Sequence, residues 1–427
     1  MAILANKQHA LGREKFYFAK KETTFATVAV PAGTDAVRVL NSQFSFTRIR
    51  DNRADARATR SLLERITGKR EASWSVELYI LPSGSLGVAP DAGPLFEAAM
   101  GIETVNAATS VVYSLSPTQN MPSLQLYEVM IARQGVALAN SNIGILSQLL
   151  VGAYVEKMTI SLSGGEQPKV SFEGTASDYA LTGVGTLTSS PAGAATFTIN
   201  TDETVNFLPR DTIAGAAHND SGLTKVGSLV DIRNETTGAL IAGTDGKIVT
   251  DVNGDTITVS AVVTATTGNL LTPMVPASVT TTGNPVAGIL GSLTLQDSES
   301  PASTITMPVT SFDVSVTNGT KALTDEAFQQ AMTDFIPGYR EVTGTLSFRA
   351  RRDIIKMLAQ RKQFNTKALV VTIGDTAGKK LTISVPRAEL EFSDVSVPEA
   401  DEALLTLPWR AISSSETAED EISLTFE

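Results

Sequence analysis

Trp74-Ser75-Val76-Glu77-Leu78-Tyr79-Ile80 alternates apolar and polar residues with a period of two, and Leu405-Thr406-Leu407-Pro408-Trp409-Arg410-Ala411 does the same near the other end of the chain. That period places one set of side chains on each face of an extended strand, so both stretches predict half-buried β-strands. Runs rich in Thr, Val and Ile, bounded by Gly, Asn and Ser, recur along most of the sequence. Helical patterns are few. One covers Pro94-Leu95-Phe96-Glu97-Ala98-Ala99-Met100, with Asp91 upstream and Gly101 as a stop, and another covers 353–360. The fold class expected is therefore mainly β.

The order of these signals occurs twice. Phe44-Ser45-Phe46, leading to Asp51-Asn52, parallels Ser311-Phe312-Asp313-Val314-Ser315-Val316, leading to Thr317-Asn318-Gly319. Ile66-Thr67-Gly68 matches Val342-Thr343-Gly344 at the head of the next strand. A short helix follows in each half, then an apolar strand at 124–130 and at 368–373. The stretch 155–162 answers to 381–392, and 170–176 answers to 405–411. Between the halves, 181–285 is rich in Thr, Gly, Ala and Asp. Asn253-Gly254, a hairpin-turn dipeptide, sits there between two Thr/Ile/Val runs. The expected organisation is two tandem β-sandwich or barrel repeats, 1–180 and 286–427, each with a short α-helix. A small all-β insertion at 181–285, an immunoglobulin-like sandwich or small barrel, separates them. As an insertion between matching halves it is expected to be peripheral.

Composition removes several chemistries. The chain of 427 residues has no cysteine and two histidines, His9 and His218. Disulfides, thiolate catalysis and cysteine-bound zinc are excluded, and two distant imidazoles do not make a triad or a histidine-rich metal site. No Gly-rich phosphate loop or Gly-x-Ser-x-Gly elbow occurs. Asp251-Val252-Asn253-Gly254-Asp255 resembles part of a calcium loop but lacks its remaining ligands, and is assigned to the hairpin turn. Adjacent acids such as Asp401-Glu402 point to opposite faces of a strand, so they need not converge as glycosidase carboxylates do and are more often solvated. No signal-peptide pattern opens the chain and no run approaches the ~20 apolar residues of a membrane span. A net charge of −11 argues against a surface that grips DNA, since such surfaces neutralise phosphates with cations.

The second half resembles the bacteriophage major tail tube protein family through Gly338-Tyr339-Arg340-Glu341-Val342-Thr343-Gly344-Thr345-Leu346-Ser347 and the later strand Leu381-Thr382-Ile383-Ser384-Val385-Pro386-Arg387-Ala388-Glu389-Leu390. The first half is similar through Pro90-Asp91, Pro94 to Gly101 and Val151-Gly152-Ala153-Tyr154-Val155. The resemblance covers both halves but not the insertion. It implies a structural protein with no enzymatic activity and no cofactor. Its subunits would form rings that stack into the tail tube in the virion, after assembly in the host bacterial cytoplasm. Some long-tailed siphophages carry a duplicated version in which three chains replace six, so a homotrimeric, pseudo-hexameric ring is implied. Its other partners would be the tape measure, tail terminator and distal tail proteins, with double-stranded DNA passing through the lumen without specific binding.

In that family the loop between the first two long strands reaches the neighbouring ring. Here it carries Arg48, Arg50, Arg53, Arg57, Arg60 and Arg65. These side chains would clasp carboxylates, for which Glu416, Glu419, Asp420 and Glu421 are candidates. The alternative is a solvated basic loop. The matching loop of the second half carries Asp325, Phe328 and Phe335, candidates for anchoring a neighbour or, equally, for packing in the core. Another β-rich assembly protein, such as a fibre, baseplate or surface-layer component, is the rival function.

Overall fold

The protein is described by a computed structural model, which covers residues 14–51, 66–117, 121–132, 143–210, 226–286, 291–297, 304–307, 309–323, 332–349, 366–391, 404–415 and 418–427. It is mainly β. Strands in the first part are β1 (Lys15–Lys21), β2 (Ala36–Val37), β3 (Asn41–Asp51), β4 (Ile66–Tyr79), β5 (Gly101–Asn106), β6 (Ser110–Leu115), β7 (Leu124–Ala132), β8 (Ile143–Ala153), β9 (Lys157–Ser163), β10 (Lys169–Ala176) and β11 (Asp178–Thr182). Helix α1 (Gly93–Met100) lies between β4 and β5. Its apolar positions are buried, and it stops where predicted: Gly101 takes φ 106° and its N–H returns to the Glu97 carbonyl. The helix expected at 353–360 falls outside the described residues.

Strands β12 (Gly185–Thr186), β13 (Ala192–Thr198), β14 (Leu229–Arg233), β15 (Lys247–Asn253), β16 (Thr256–Thr264) and β17 (Leu270–Pro273) follow. They make a sheet in the order β12-β17-β14-β15-β16-β13 around its own cluster, which includes Phe197, Ile232 and Ile257. Asn253-Gly254 opens the β15–β16 turn, with Gly254 at φ +61°. The last part holds β18 (Ser292–Asp297), β19 (Thr304–Met307), β20 (Val309–Thr317), β21 (Lys321–Ala322), β22 (Phe335–Ile336), β23 (Glu341–Arg349), β24 (Lys367–Ile373), β25 (Leu381–Leu390), β26 (Leu404–Ala411) and β27 (Ser423–Phe426).

Strand order and register recur between the first and last parts. One sheet reads β11-β8-β7-β1-β2; in the last part β27, β25, β24, β18 and β19 pair in the same succession. The second layer reads β3-β4-β10-β9, and its counterpart runs β20-β23-β26-β25. An offset of 270 positions carries the pair Phe44–Trp74 onto Val314–Gly344. An offset of 235 carries Gly174, opposite Trp74, onto Trp409, opposite Gly344. One irregularity coincides as well. The β7–β8 ladder slips between Leu124 and Leu126, opposite Ala153 and Leu150, and β24–β25 slips between Lys367 and Leu369, opposite Ala388 and Val385.

These registers correct two details of the sequence alignment. Gly344 occupies the position of Trp74, not of Gly68, because the tryptophan and glycine of the cross-strand pair have exchanged strands. The exchange preserves volume: a Cβ at Gly344 would stand 2.5 Å from the Trp409 ring and 2.1 Å from the Asp313 carbonyl. The stretch 381–385 answers to β8 and not to β9, since it lies between β24 and β27 as β8 lies between β7 and β11.

The two parts meet along β9 and β20, which pair antiparallel from Lys157–Thr317 to Ser163–Ser311. The pairing makes one continuous sheet, β3-β4-β10-β9-β20-β23-β26-β25. Its inner face, with Trp74, Phe172, Ile160, Val314, Leu346 and Leu407, belongs to one apolar cluster that spans both parts. A second tie is made by β27, which pairs with β25 on one side and β6 on the other and sets Phe426 5.3 Å from Phe96.

The 181–285 stretch is not peripheral. Val226, Leu229, Met274 and Val275 share a buried cluster with Phe18, Tyr127, Val129, Leu149 and Val151 of the first part, and the Tyr127 hydroxyl donates to the Met274 carbonyl at 2.8 Å. Buried Asp231 accepts from the N–H groups of Val275 and Gly246 and pairs with Arg233 at 3.0 Å. Burial nevertheless raises its carboxyl above the usual range, against those hydrogen bonds and the guanidinium. The chain leaving β17 is strapped across the first part, where Asp91 accepts from both N and Oγ1 of Thr282 at 2.6 Å. Replacing 181–285 with a Gly/Ser linker is expected to uncover that shared face at a cost of roughly 1.5–3 kcal/mol for each large side chain exposed. A lower thermal midpoint in circular dichroism checks this; an unchanged midpoint would return the insertion to a passive role.

Candidate assembly interface

Period-two alternation leaves the second face of the continuous sheet polar. Ser75, Glu77, Ser171, Glu173, Thr159, Ser161, Asp313, Ser315, Thr345 and Ser347 occupy positions out of phase with the buried set. Its cations sit beside acids: Lys157–Glu173 at 3.6 Å, Lys169–Glu77 at 3.7 Å and Arg410–Glu341 at 3.7 Å. Asp313 accepts from the backbone N–H of Thr345 at 3.2 Å and from its hydroxyl. Among the described residues, hydroxyls and these paired charges line much of this face and make no cationic stripe of the kind that holds phosphates.

Among the described residues the sheet has a free edge. β3 pairs with β4 on one side, and on the other no described strand lies beside it. Unpaired N–H and C=O groups along such an edge form a template for another strand. β20, the counterpart of β3, has that side filled by β9.

The candidate residues separate into three groups. Arg48 and Arg50 belong to β3, opposite Arg70 and Thr67. Arg53, Arg57, Arg60, Arg65, Glu416, Asp325 and Phe328 lie outside the described residues, as do His9 and His218. Glu419, Asp420 and Phe335 are engaged within the chain. Glu419 pairs with Arg340 at 2.9 Å, and Asp420 accepts from the Ser414 N–H at 2.9 Å. For Asp420 slight desolvation is outweighed by hydrogen bonds from Ser414 and Ser413, which hold its carboxyl below the usual range. Glu421 is half-buried just before β27.

Phe335 stacks on Tyr154 with ring centroids 4.8 Å apart and meets Phe25 at 6.0 Å. Nearby, the Ser177 hydroxyl donates to the Met332 carbonyl. Burial pushes the Tyr154 phenol up to about 12, so it stays protonated and donates to Glu156 at 3.1 Å. The β20–β23 loop is therefore seated on the first part, across the β9–β20 seam. Asn318, at its base, is buried and donates to the carbonyls of Ala99 and Val155, both at 3.1 Å. Sequence reasoning missed Tyr154, Asn318 and Arg340 as partners in this joint, because each sits far in sequence from what it touches.

Among the described residues no three His, Asp or Glu side chains gather into a metal site, and no helix is long and apolar enough to cross a membrane. No family model matches the chain, and no curated protein matches it in sequence.

Phe335→Ala is expected to remove about 0.5–1.5 kcal/mol of ring–ring interaction beyond the area lost. Amide exchange in β21 and β22 should accelerate while β20 and β23 keep their protection. Equal acceleration in all four strands would show that the loop is not a separate joint.

Proposed function

We propose that this chain is a structural subunit that closes into rings and stacks into a tube, as a bacteriophage tail tube protein does, and that its two registered parts are copies of one ancestral unit. The observation that carries the reading is the β9–β20 seam. It shows how one unit extends the sheet of the other, and it leaves β3, the counterpart of β20, as an open edge. Repeating the seam between chains adds strands head to tail, and a rotation that closes removes the β3 edge. Three chains supply six units, the number a single-unit tube around duplex DNA uses. With its polar face toward the lumen, hydroxyls and paired charges would let phosphates slide past without being held. On this reading the protein resides in a virion tail and has no catalytic role.

Electron micrographs of the purified protein should show hollow rings or tubes with threefold symmetry. Flat ribbons or unclosed fibres would instead indicate another kind of β-rich assembly, and true sixfold rings would break the argument from two units per chain.

A covalent test uses the absence of cysteine. Within the chain, Thr159 faces Ser315, their hydroxyls 3.4 Å apart. The offsets of 270 and 235 map Ser315 to Ser45 and Thr159 to Asp394, the latter outside the described residues. The double variant Ser45→Cys/Asp394→Cys should give disulfide-linked oligomers ending at a trimer under mild oxidation, whereas Thr159→Cys/Ser315→Cys should close within one chain. Only random cross-links from the first variant would overturn the proposed edge.

A further inference from the structure

The correspondence between the two parts extends to their other layer. An offset of 243 carries the Leu124–Leu126 slip of β7 onto the Lys367–Leu369 slip of β24, and with it Glu128 onto Val371. Tyr17 pairs with Glu128, and Leu293 pairs with Val371. Strands β1 and β18 are therefore equivalent at an offset of 276, which sets Gly291 in the place of Lys15. The offset of 270 sets Phe312 in the place of Ser42.

In the first part these positions fill the space between the layers with polar groups. The Lys15 ammonium lies 3.1 Å from the Glu128 carboxylate and also donates to Ser42, whose hydroxyl donates to Glu128. In the last part Gly291, Val371 and Phe312 replace the cation, the acid and the hydroxyl. With no long side chain at position 291, an open groove of about 240 Å³ is left there. Leu162, Leu293 and Phe312 line it with apolar surface, and Ser163, Ser311 and Thr372 add hydroxyls. It lies at the end of the seam where Ser163 pairs with Ser311.

The opposite end of the same strands carries Tyr339, two residues before β23 and beyond the Thr317–Glu341 pair. Its side chain is 100% exposed, more than any other large hydrophobic among the described residues, and nearby Ile336 is exposed as well. Six residues of β20 separate Thr317 from Ser311, about 20 Å at the rise of a strand, so Tyr339 does not reach the groove of its own chain.

We propose that the groove beside Gly291 is the seat of Tyr339 from a second copy of this chain. A projection at one end of the sheet and a groove at the other make a heterologous contact, which adds copies end to end without closing. The inference rests on the tube reading above and names a contact between successive rings. Tyrosine has the chemistry for it: the ring covers Leu162, Leu293 and Phe312, while the phenol keeps a hydrogen-bond partner among the hydroxyls of the lining. No charged side chain lines the groove, so salt should do little to this joint.

The test separates ring formation from stacking, by sedimentation and electron microscopy. Tyr339→Ala should still form rings but reduce the fraction found in tubes by about tenfold or more, equivalent to ~1.4 kcal/mol. Tyr339→Phe should keep most of the stacking. Gly291→Met, which returns a long side chain to the place that Lys15 fills in the first part, should block stacking as Tyr339→Ala does. Melting curves matching the parent protein show that the subunits are folded. Independently, photoreactive p-benzoylphenylalanine at position 339 should cross-link, in tubes of otherwise unaltered chain, to 162–165 or 309–312 of another chain. Tubes of parental length from Tyr339→Ala or from folded Gly291→Met, or cross-links that map elsewhere, would overturn the pairing while leaving the ring reading intact. A parent protein that forms neither rings nor tubes would remove both.

Discussion

The antiparallel pairing of β9 with β20 is the interaction on which the rest of the molecule depends. Seven consecutive residue pairs join the two parts there, and the apolar side chains of both strands enter the same buried cluster. Backbone hydrogen bonds set the spacing, and cross-strand side-chain pairs contribute roughly 0.2–1 kcal/mol each. The seam also fixes relative orientation. A register shift of one residue would turn Met158, Ile160 and Leu162 out of the core and expose both units. This joint is satisfied within the chain, whereas the matching side of β3 has no described strand beside it.

Around the seam, the molecule secures its long connections with side chains instead of more sheet. Asn318 ties the start of the β20–β23 loop to two carbonyls of the first part, and Phe335 ties its return. Arg340 then meets Glu419, much as Arg70 meets Asp178 at 3.1 Å in the first part. Arg70 and Arg340 are related by the same offset of 270, so each unit anchors the re-entry of its hairpin with an arginine on a carboxylate. In the first part that guanidinium also lies 4.2 Å from the Tyr179 ring centre, which suits a cation with little access to water.

The β12–β17 sheet has a different relation to the first part. It has an apolar cluster of its own, yet it also roofs the outer face of β7 and β8. Asp231 and Arg233 sit where the two clusters meet, and their mutual pairing offsets part of the cost of burying both charges. A sheet held in this way covers β7 and β8 without interrupting the sheet that carries the seam.

The sequence by itself determined the class of structure. Alternation at 74–80 and 405–411, the stop at Gly101 and the turn at Asn253-Gly254 are local instructions, and each element formed where those residues placed it. The polar character of the free sheet face was legible too, since every second residue of the strands is hydrophilic. Only the tertiary structure decided which strand answers to which. A period of two assigns faces but names no partner, so aligning Gly68 with Gly344 was as reasonable as any other choice. Packing across the ladder instead set Gly344 in the place of Trp74, because one tryptophan fits between the layers and either strand of the pair can supply it.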